Sequence, residues 1–251
     1  MRKHDRWNAL LEQLAADGQI DIDAAAGTLG VSSATIRRDL DELTEQQMVT
    51  RTRGGAVAYS VSYDLPLRYK TARHAPEKQR IAAAAAAMVD AGAIVGLTGG
   101  TTTTEVARAL STRAVTIVTN AVNIANELAV RPDVKIVMPG GVMRPQSYEL
   151  IGPLASGVLG EISLDIAFLG VDGIDPERGV GAHHEGEAAI NRLMAFNAAR
   201  VVVVADASKL GRRTFARICE LDRVHTLITD TTAPRDALDR LAAAGLAIVT
   251  V

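Results

Sequence analysis

Two groups of residues in this chain have the types and spacing to do chemistry. The first lies in "SSATIRRDLDEL", residues 32–43. Wound as a helix, this stretch puts Ile36, Leu40 and Leu43 on one buried stripe. Ala34, Arg38 and Asp41 then project opposite, with Thr35 and Arg37 on the flanks. Ser32 is a good N-cap. Donors gather in the N-terminal half (Ser33, Thr35, Arg37, Arg38) and acids in the C-terminal half (Asp39, Asp41, Glu42, Glu45). A helix entering the major groove by its N-terminal end needs donors there and tolerates acids farther out. Arg51 and Arg53, ahead of Gly54-Gly55, are placed to reach phosphates. Two adjacent arginines alone fit a solvated helix face. The short "GTLGVSS" turn, the cap, the charge asymmetry and the basic wing together favour double-stranded DNA. Ser32, Ser33, Thr35, Arg37, Arg38, Arg51 and Arg53 are the candidate contacts.

The second group is scattered along the rest of the chain. "IVGLTGGTTTTEVA" reads as strand, glycine turn and helix. Gly99 and Gly100 let backbone amides approach a ligand, a helix N-terminus favours an anion, and Thr101 to Thr104 add hydroxyls. Neither a Walker lysine nor a G-x-G-x-x-G pattern is present, so a threonine-capped turn is an equal reading from spacing alone. "GVDGID" places Asp172 and Asp175 just beyond a strand, and "ADASKLG" does the same for Asp206 and Lys209. Open α/β sheets bind ligands at such strand ends, although Asp-Gly turns and solvated lysines share these patterns. His183, His184, Glu185 and Glu187 are potential metal ligands, but adjacent histidines diverge on regular backbone, so neither a metal nor a cofactor is expected. Cys219 has no catalytic partner in view and reads as structural.

The elements that must position these residues follow from composition and period. The chain has 251 residues, 48% hydrophobic and 3% aromatic, so its core is built from Ala, Val, Leu and Ile. The first 58 residues read as three short helices and a two-stranded wing. They carry seven basic residues and nine acidic ones, net −2, so any DNA-binding face arises from clustering rather than from total charge. Residues 59–75, mixed in character, read as a linker. From residue 76, apolar strands such as "AIVGL", "VTIVTN", "DIAFLG" and "RVVVVAD" alternate with helices, which predicts a mainly parallel α/β domain over 76–251. One cysteine and no leader or long apolar run favour a cytoplasmic protein with no membrane partner.

"VSSATIRRDLDEL" followed by "RTRGGAVA" resembles the winged helix-turn-helix of the DeoR family of bacterial transcription regulators. The resemblance continues through "GGTTTTEVARAL", "TNAVNIANEL", "PGGVMR", "GVDGID", "EAAINRLM" and "ADASKLG". It implies a second domain similar to ribose-5-phosphate isomerase, Rossmann-like, that senses a phosphorylated sugar or related metabolite. It adds Asn120, Glu187 and Arg192 to the candidate effector contacts Gly99, Gly100, Thr101, Thr102, Asp172, Asp175, Asp206 and Lys209. The chain departs from the family pattern where relatives carry an acid beside the glycine pair; Thr98 and Gly99 stand there. It departs again at Asn191 and near Gly181, where relatives often carry Lys and Thr. The expected function is a homo-oligomeric (dimeric or tetrameric) repressor of a carbohydrate-catabolism operon, released from DNA by its effector. An activator with the same domains and an isomerase-like enzyme are the alternatives. Against the enzyme, the similar isomerases supply a glutamate and a lysine where this chain has Leu193 and, nearby, His184.

Overall fold

The computed structural model describes residues 1–46, 48–58, 66–71 and 73–251. The chain divides into two compact units, Met1–Leu65 and Pro66–Val251.

In the first unit, α1 (Lys3–Asp17), β1 (Gln19–Asp21), α2 (Ile22–Leu29) and α3 (Ser33–Glu45) precede a hairpin of β2 (Val49–Arg51) and β3 (Gly55–Ala58). Asp21 caps α2 by accepting from the backbone of Asp23 and Ala24, and Ser32 caps α3 by accepting from Thr35. The predicted stripe of Ile36, Leu40 and Leu43 is fully buried, and α1 buries Trp7, Leu10, Leu11 and Leu14. The wing differs from the expected pair of strands. β1 adds a third, in the order β1-β3-β2, all antiparallel. Gly55 makes that pairing possible, since a Cβ there would lie 1.7 Å from the carbonyl oxygen of Ile20.

The second unit begins inside the stretch expected as linker. Residues 59–65 and 72 of that stretch lie outside the described residues. From Pro66 onward the chain packs: α4 (Leu67–Lys70) buries Leu67 and Tyr69, and α5 (Ala75–Ala86) follows. Then come β4 (Ile94–Leu97), α6 (Thr101–Leu110), β5 (Val115–Thr119), α7 (Val122–Leu128), β6 (Val134–Val137), β7 (Val142–Arg144), β8 (Glu149–Ile151) and α8 (Pro153–Leu159). The rest is β9 (Leu164–Gly170), β10 (Gly173–Asp175), β11 (Gly179–Ala182), α9 (Glu185–Phe196), β12 (Ala198–Val204), β13 (Ala216–Cys219), β14 (Thr226–Thr229), α10 (Arg235–Ala243) and β15 (Ala247–Thr250).

The strands read from sequence form one sheet, in the order β15-β14-β12-β9-β4-β5-β6, with every pairing parallel. Each face is covered, which is why the strands are apolar throughout. Along β9, Ile166 and Phe168 join a core with α5, α6 and α7, while Ala167 and Leu169 join one with α8 and α9. The chain moves outward from β4 in one direction and from β9 in the other. β4 and β9 are neighbours, so the topological switch point lies between them, the place where open α/β sheets form a ligand crevice. Two smaller antiparallel sheets, β7-β8 and β10-β11-β13, flank the main sheet.

Candidate functional sites

In the first unit the candidate DNA contacts sort by what already holds them. Arg37, Arg38 and Arg53 are exposed and have no ion pair among the described residues. Ser33 Oγ donates to Asp23 at 2.8 Å, tying α3 to α2, and Ser32 and Thr35 share a hydroxyl contact at 2.9 Å. Arg51 is half-buried; its Nη1 donates to the Gly55 carbonyl at 2.6 Å and its Nε pairs with Asp41 at 3.0 Å. Arg51 thus fixes the wing against α3, a role its spacing did not announce. Asp39 is buried, although it belongs to the acidic half of α3. It accepts from Arg6 Nη2 at 2.8 Å and Trp7 Nε1 at 2.9 Å, so it clamps α1 to α3. The hydrogen bond from Arg6 to Asp39 holds the guanidinium pKa above its ordinary value.

In the second unit the switch-point crevice gathers charge. Gly100, at φ 127°, is the N-cap of α6. The hydroxyls of Thr103 and Thr104 turn back onto its carbonyl at 3.0 and 2.7 Å. Those of Thr101 and Thr102 have no partner among the described residues. After β9, Asp172 accepts from the backbone of His183 at 3.0 Å. Lys209 Nζ stands 3.8 Å from its carboxylate and Lys70 Nζ 3.6 Å. Both separations exceed a charge-assisted hydrogen bond of about 2.8 Å, so these are ion pairs without a direct hydrogen bond. Lys78, which unlike these half-buried groups is buried, donates to the carbonyls of Lys70 (2.8 Å) and Arg73. Asp206 caps the short turn Ala207–Lys209.

The electrostatics follow from burial. Desolvation alone would push the Asp172 carboxyl up; Lys70, Lys209 and His183 outweigh it and hold the carboxyl below the ordinary range. Burial lowers Lys209, against the pull of Asp172, and lowers Lys78 to about 8, against the pull of Asp206. Three lysines against two aspartates leave one positive charge, in a crevice that also feels Arg73 and Arg212. Arg212 lines a neighbouring cavity of about 240 Å³ with Arg178, Arg213 and Arg217, which adds to the positive potential. Lys70 and Lys78 were missed from sequence because no motif marks them; only the docking of α4 and α5 brings them to the strand ends.

Other expected pocket residues are engaged elsewhere. Asp175 accepts from the backbone of Glu177 and Arg178, both at 3.0 Å, and from Arg213, so it closes its own turn. Arg192 donates to the carbonyls of Ile218 and Arg217, tying α9 to β13. Glu187 takes Arg144 at 2.9 Å, which pins β7 to α9. Asn120, fully buried, donates to Glu149 Oε2 at 2.9 Å. His184 is the N-cap of α9. Among the described residues no group of three or more His, Cys, Asp or Glu side chains could hold a metal ion, and no helix is long and apolar enough to cross a membrane. Burial pushes the Cys219 thiol up to about 11, far from a reactive thiolate.

Two family models match. The DeoR-like helix-turn-helix domain covers residues 6–61 and the DeoR C terminal sensor domain residues 73–231. The chain is 36% identical to a putative aga operon transcriptional repressor of Escherichia coli O157:H7, over 98% of this chain and 93% of the relative. It is 32% identical to the glycerol-3-phosphate regulon repressor of Escherichia coli K12, over 93% of each. Among solved structures, ribose 5-phosphate isomerase A of Methanocaldococcus jannaschii aligns with 54% of this chain and 54% of its own, at 22% identity and a TM-score of 0.41.

Proposed function

The chain belongs to the DeoR family of transcriptional regulators, and on that premise we propose that it is a ligand-released repressor whose effector is a phosphorylated sugar or a related metabolite. The observation that carries this reading is the convergence of Lys70 and Lys209 on Asp172 at the switch point, with Lys78 held against the carbonyls of Lys70 and Arg73 and facing Asp206. A phosphate dianion offers such lysines the counter-charge that the aspartates supply only in part. Arg37 and Arg38 on α3 read the operator, with Arg53 on backbone phosphate. The protein acts in the cytoplasm as a homo-oligomer on paired half-sites.

It binds its ligand without turning it over. Aldose-ketose isomerisation needs a base beside the carbonyl carbon. Leu193, at the position where the similar isomerases carry that glutamate, packs against the apolar core instead. For the ligand to release DNA it must prefer the DNA-free arrangement, and a typical coupling of about 1–3 kcal/mol then works both ways.

The test is calorimetry of sugar phosphates against the full chain, with and without saturating operator. Affinity should fall by the coupling factor when operator is present, and Lys209→Ala should lose the ligand response while still binding operator. Equal affinity in the two states would overturn release as the mechanism. Ligand binding tightened by operator would turn the protein into a co-repressed or ligand-activated regulator.

A further inference from the structure

The second unit keeps its arginines apart from its crevice lysines. In the cavity of about 240 Å³, every charged lining residue is an arginine: Arg178, Arg212, Arg213 and Arg217. The small sheet β10-β11-β13 supplies part of its lining, and the segment between Lys209 and β13 folds back onto that sheet. Gly211 N donates to the Ile174 carbonyl at 2.8 Å. Two glycines let the segment lie close. A Cβ on Gly173 would stand 2.4 Å from the Arg212 carbonyl oxygen, and one on Gly181 would stand 2.0 Å from Thr214 Oγ1. The backbone that carries Arg212 and Arg213 is therefore fixed against β10 and β11, and the cavity is built into the fold.

The four guanidiniums differ in what they already hold. Arg213 meets Asp175 at 3.3 Å and Glu177 at 2.6 Å, and Arg217 meets Glu220 at 3.1 Å. Arg178 and Arg212 have no ion pair and no side-chain hydrogen bond among the described residues. The position of Arg178 is nonetheless set, because its backbone N donates to Asp175 at 3.0 Å. Single exposed arginines ordinarily make a solvated face. A concave wall of one sign is different, because it focuses the field and concentrates counter-ions. The nearby acids are already shared by Arg213 and Arg217, so the charge on Arg178 and Arg212 is left for a ligand. Size narrows the choice. The cavity is several times the ~30 Å³ share of one water, yet below the ~300–1,000 Å³ of pockets for drug-sized ligands. Phe215, 75% exposed on the same lining, adds an apolar face for a carbon skeleton.

We propose that this cavity is a second anion site, separate from the crevice, which takes a small anion bearing two or more carboxylate or phosphate groups on Arg178 and Arg212, with Arg213 and Arg217 completing the wall. Arginine suits that chemistry, because its planar fork meets either group bidentately and stays charged throughout the physiological pH range. The site stands independently of the sensor reading, since none of Lys70, Lys78, Asp172 and Lys209 lines it.

The experiment titrates the full chain with citrate and with pyrophosphate by calorimetry at constant ionic strength. Wild-type protein and Lys209→Ala, which weakens the crevice, should both bind at least one probe. Adding Arg178→Gln and Arg212→Gln to Lys209→Ala should weaken that binding by about tenfold or more, the range for hydrogen bonds to charged partners. A preference for citrate identifies a carboxylate ligand, and a preference for pyrophosphate a phosphorylated one. Both arginines are exposed, so the variants should fold, and thermal melting without anion checks this. Citrate and arginine both stay ionised from pH 7 to 9, so citrate affinity should be flat across a range in which Lys78 loses its proton. Undiminished binding in the folded arginine variant overturns the proposal, as does wild-type protein that binds neither probe. Binding abolished by Lys209→Ala alone places both probes in the crevice, so the second site fails while the sensor reading stands. If the arginine substitutions change the sedimentation mass and leave anion binding intact, the patch is a subunit contact and the proposal falls.

Discussion

The helix α3 and the switch-point crevice both depend on basic side chains, but they keep them in opposite states. Arg37, Arg38 and Arg53 stand in water with no ion pair among the described residues. Lys78 and Lys209 are desolvated, and Lys70 and Lys209 lie beside Asp172. An exposed arginine reaches a phosphate after shedding only counterions and water, so its worth varies with salt. A buried lysine is already part of the fold, and a ligand must fit among charges that are already partly balanced. On the roles proposed above, exposure separates residues that serve only recognition from residues that serve structure and recognition together.

Asp39 is the sharpest way to break this division, because it sits on α3 yet belongs to the buried class. Asp39→Ala should destabilise the first unit by about 3–5 kcal/mol, since it strands the Arg6 guanidinium and Trp7 N–H. Trp7 is the only tryptophan, so its fluorescence during urea unfolding reads this directly. Arg38→Ala should instead leave that transition in place and weaken operator binding by about 1–3 kcal/mol, with a shallower salt dependence in gel-shift titrations. If both variants lowered stability equally, exposure would not sort the roles.

The smallest effect is the pH response of the crevice. Lys78 titrates at about 8 rather than at its ordinary 10.5. A bound phosphate dianion favours its charged form, so binding takes up a proton near pH 8. Affinity for a sugar phosphate should fall as pH rises from 7 to 9, by about tenfold or 1.4 kcal/mol, and Lys78→Met should flatten the profile. In ligand-free protein the sign is reversed. Between pH 8 and 10.5 the unfolded chain holds a proton that the native one has released, so the Lys78 contribution to stability increases with pH across that window.

The parallel sheet was legible in sequence because strands covered on both faces become continuous apolar runs, and β4, β5, β6, β9, β12, β14 and β15 all do. The α3 stripe was legible for the same local reason. β1, β7 and β8 were not, being three residues each and half polar, too short for a period to register. The crevice was read in part. Gly100, Asp172 and Lys209 lie just after strands, where position alone suggests a ligand. Lys78 lies 21 residues from Gly99 in the chain, and only tertiary pairing carries it to the same strand ends. Asp175 and Arg192 are motif residues whose hydrogen bonds go to a turn and to a neighbouring strand.

Lys70 is the last residue of α4, four positions beyond Pro66, where the second unit begins. At a helical rise of 1.5 Å per residue, that is about 6 Å of polypeptide. An anion that draws Lys70 away from Asp172 pulls on a segment whose other end is the covalent exit of the unit. Under the release mechanism proposed above, the route from the crevice to that exit is as short as one turn of helix. The Lys78 ammonium grips the carbonyls of Lys70 and Arg73, so one buried side chain of α5 ties down the end of that helix as well as adding charge.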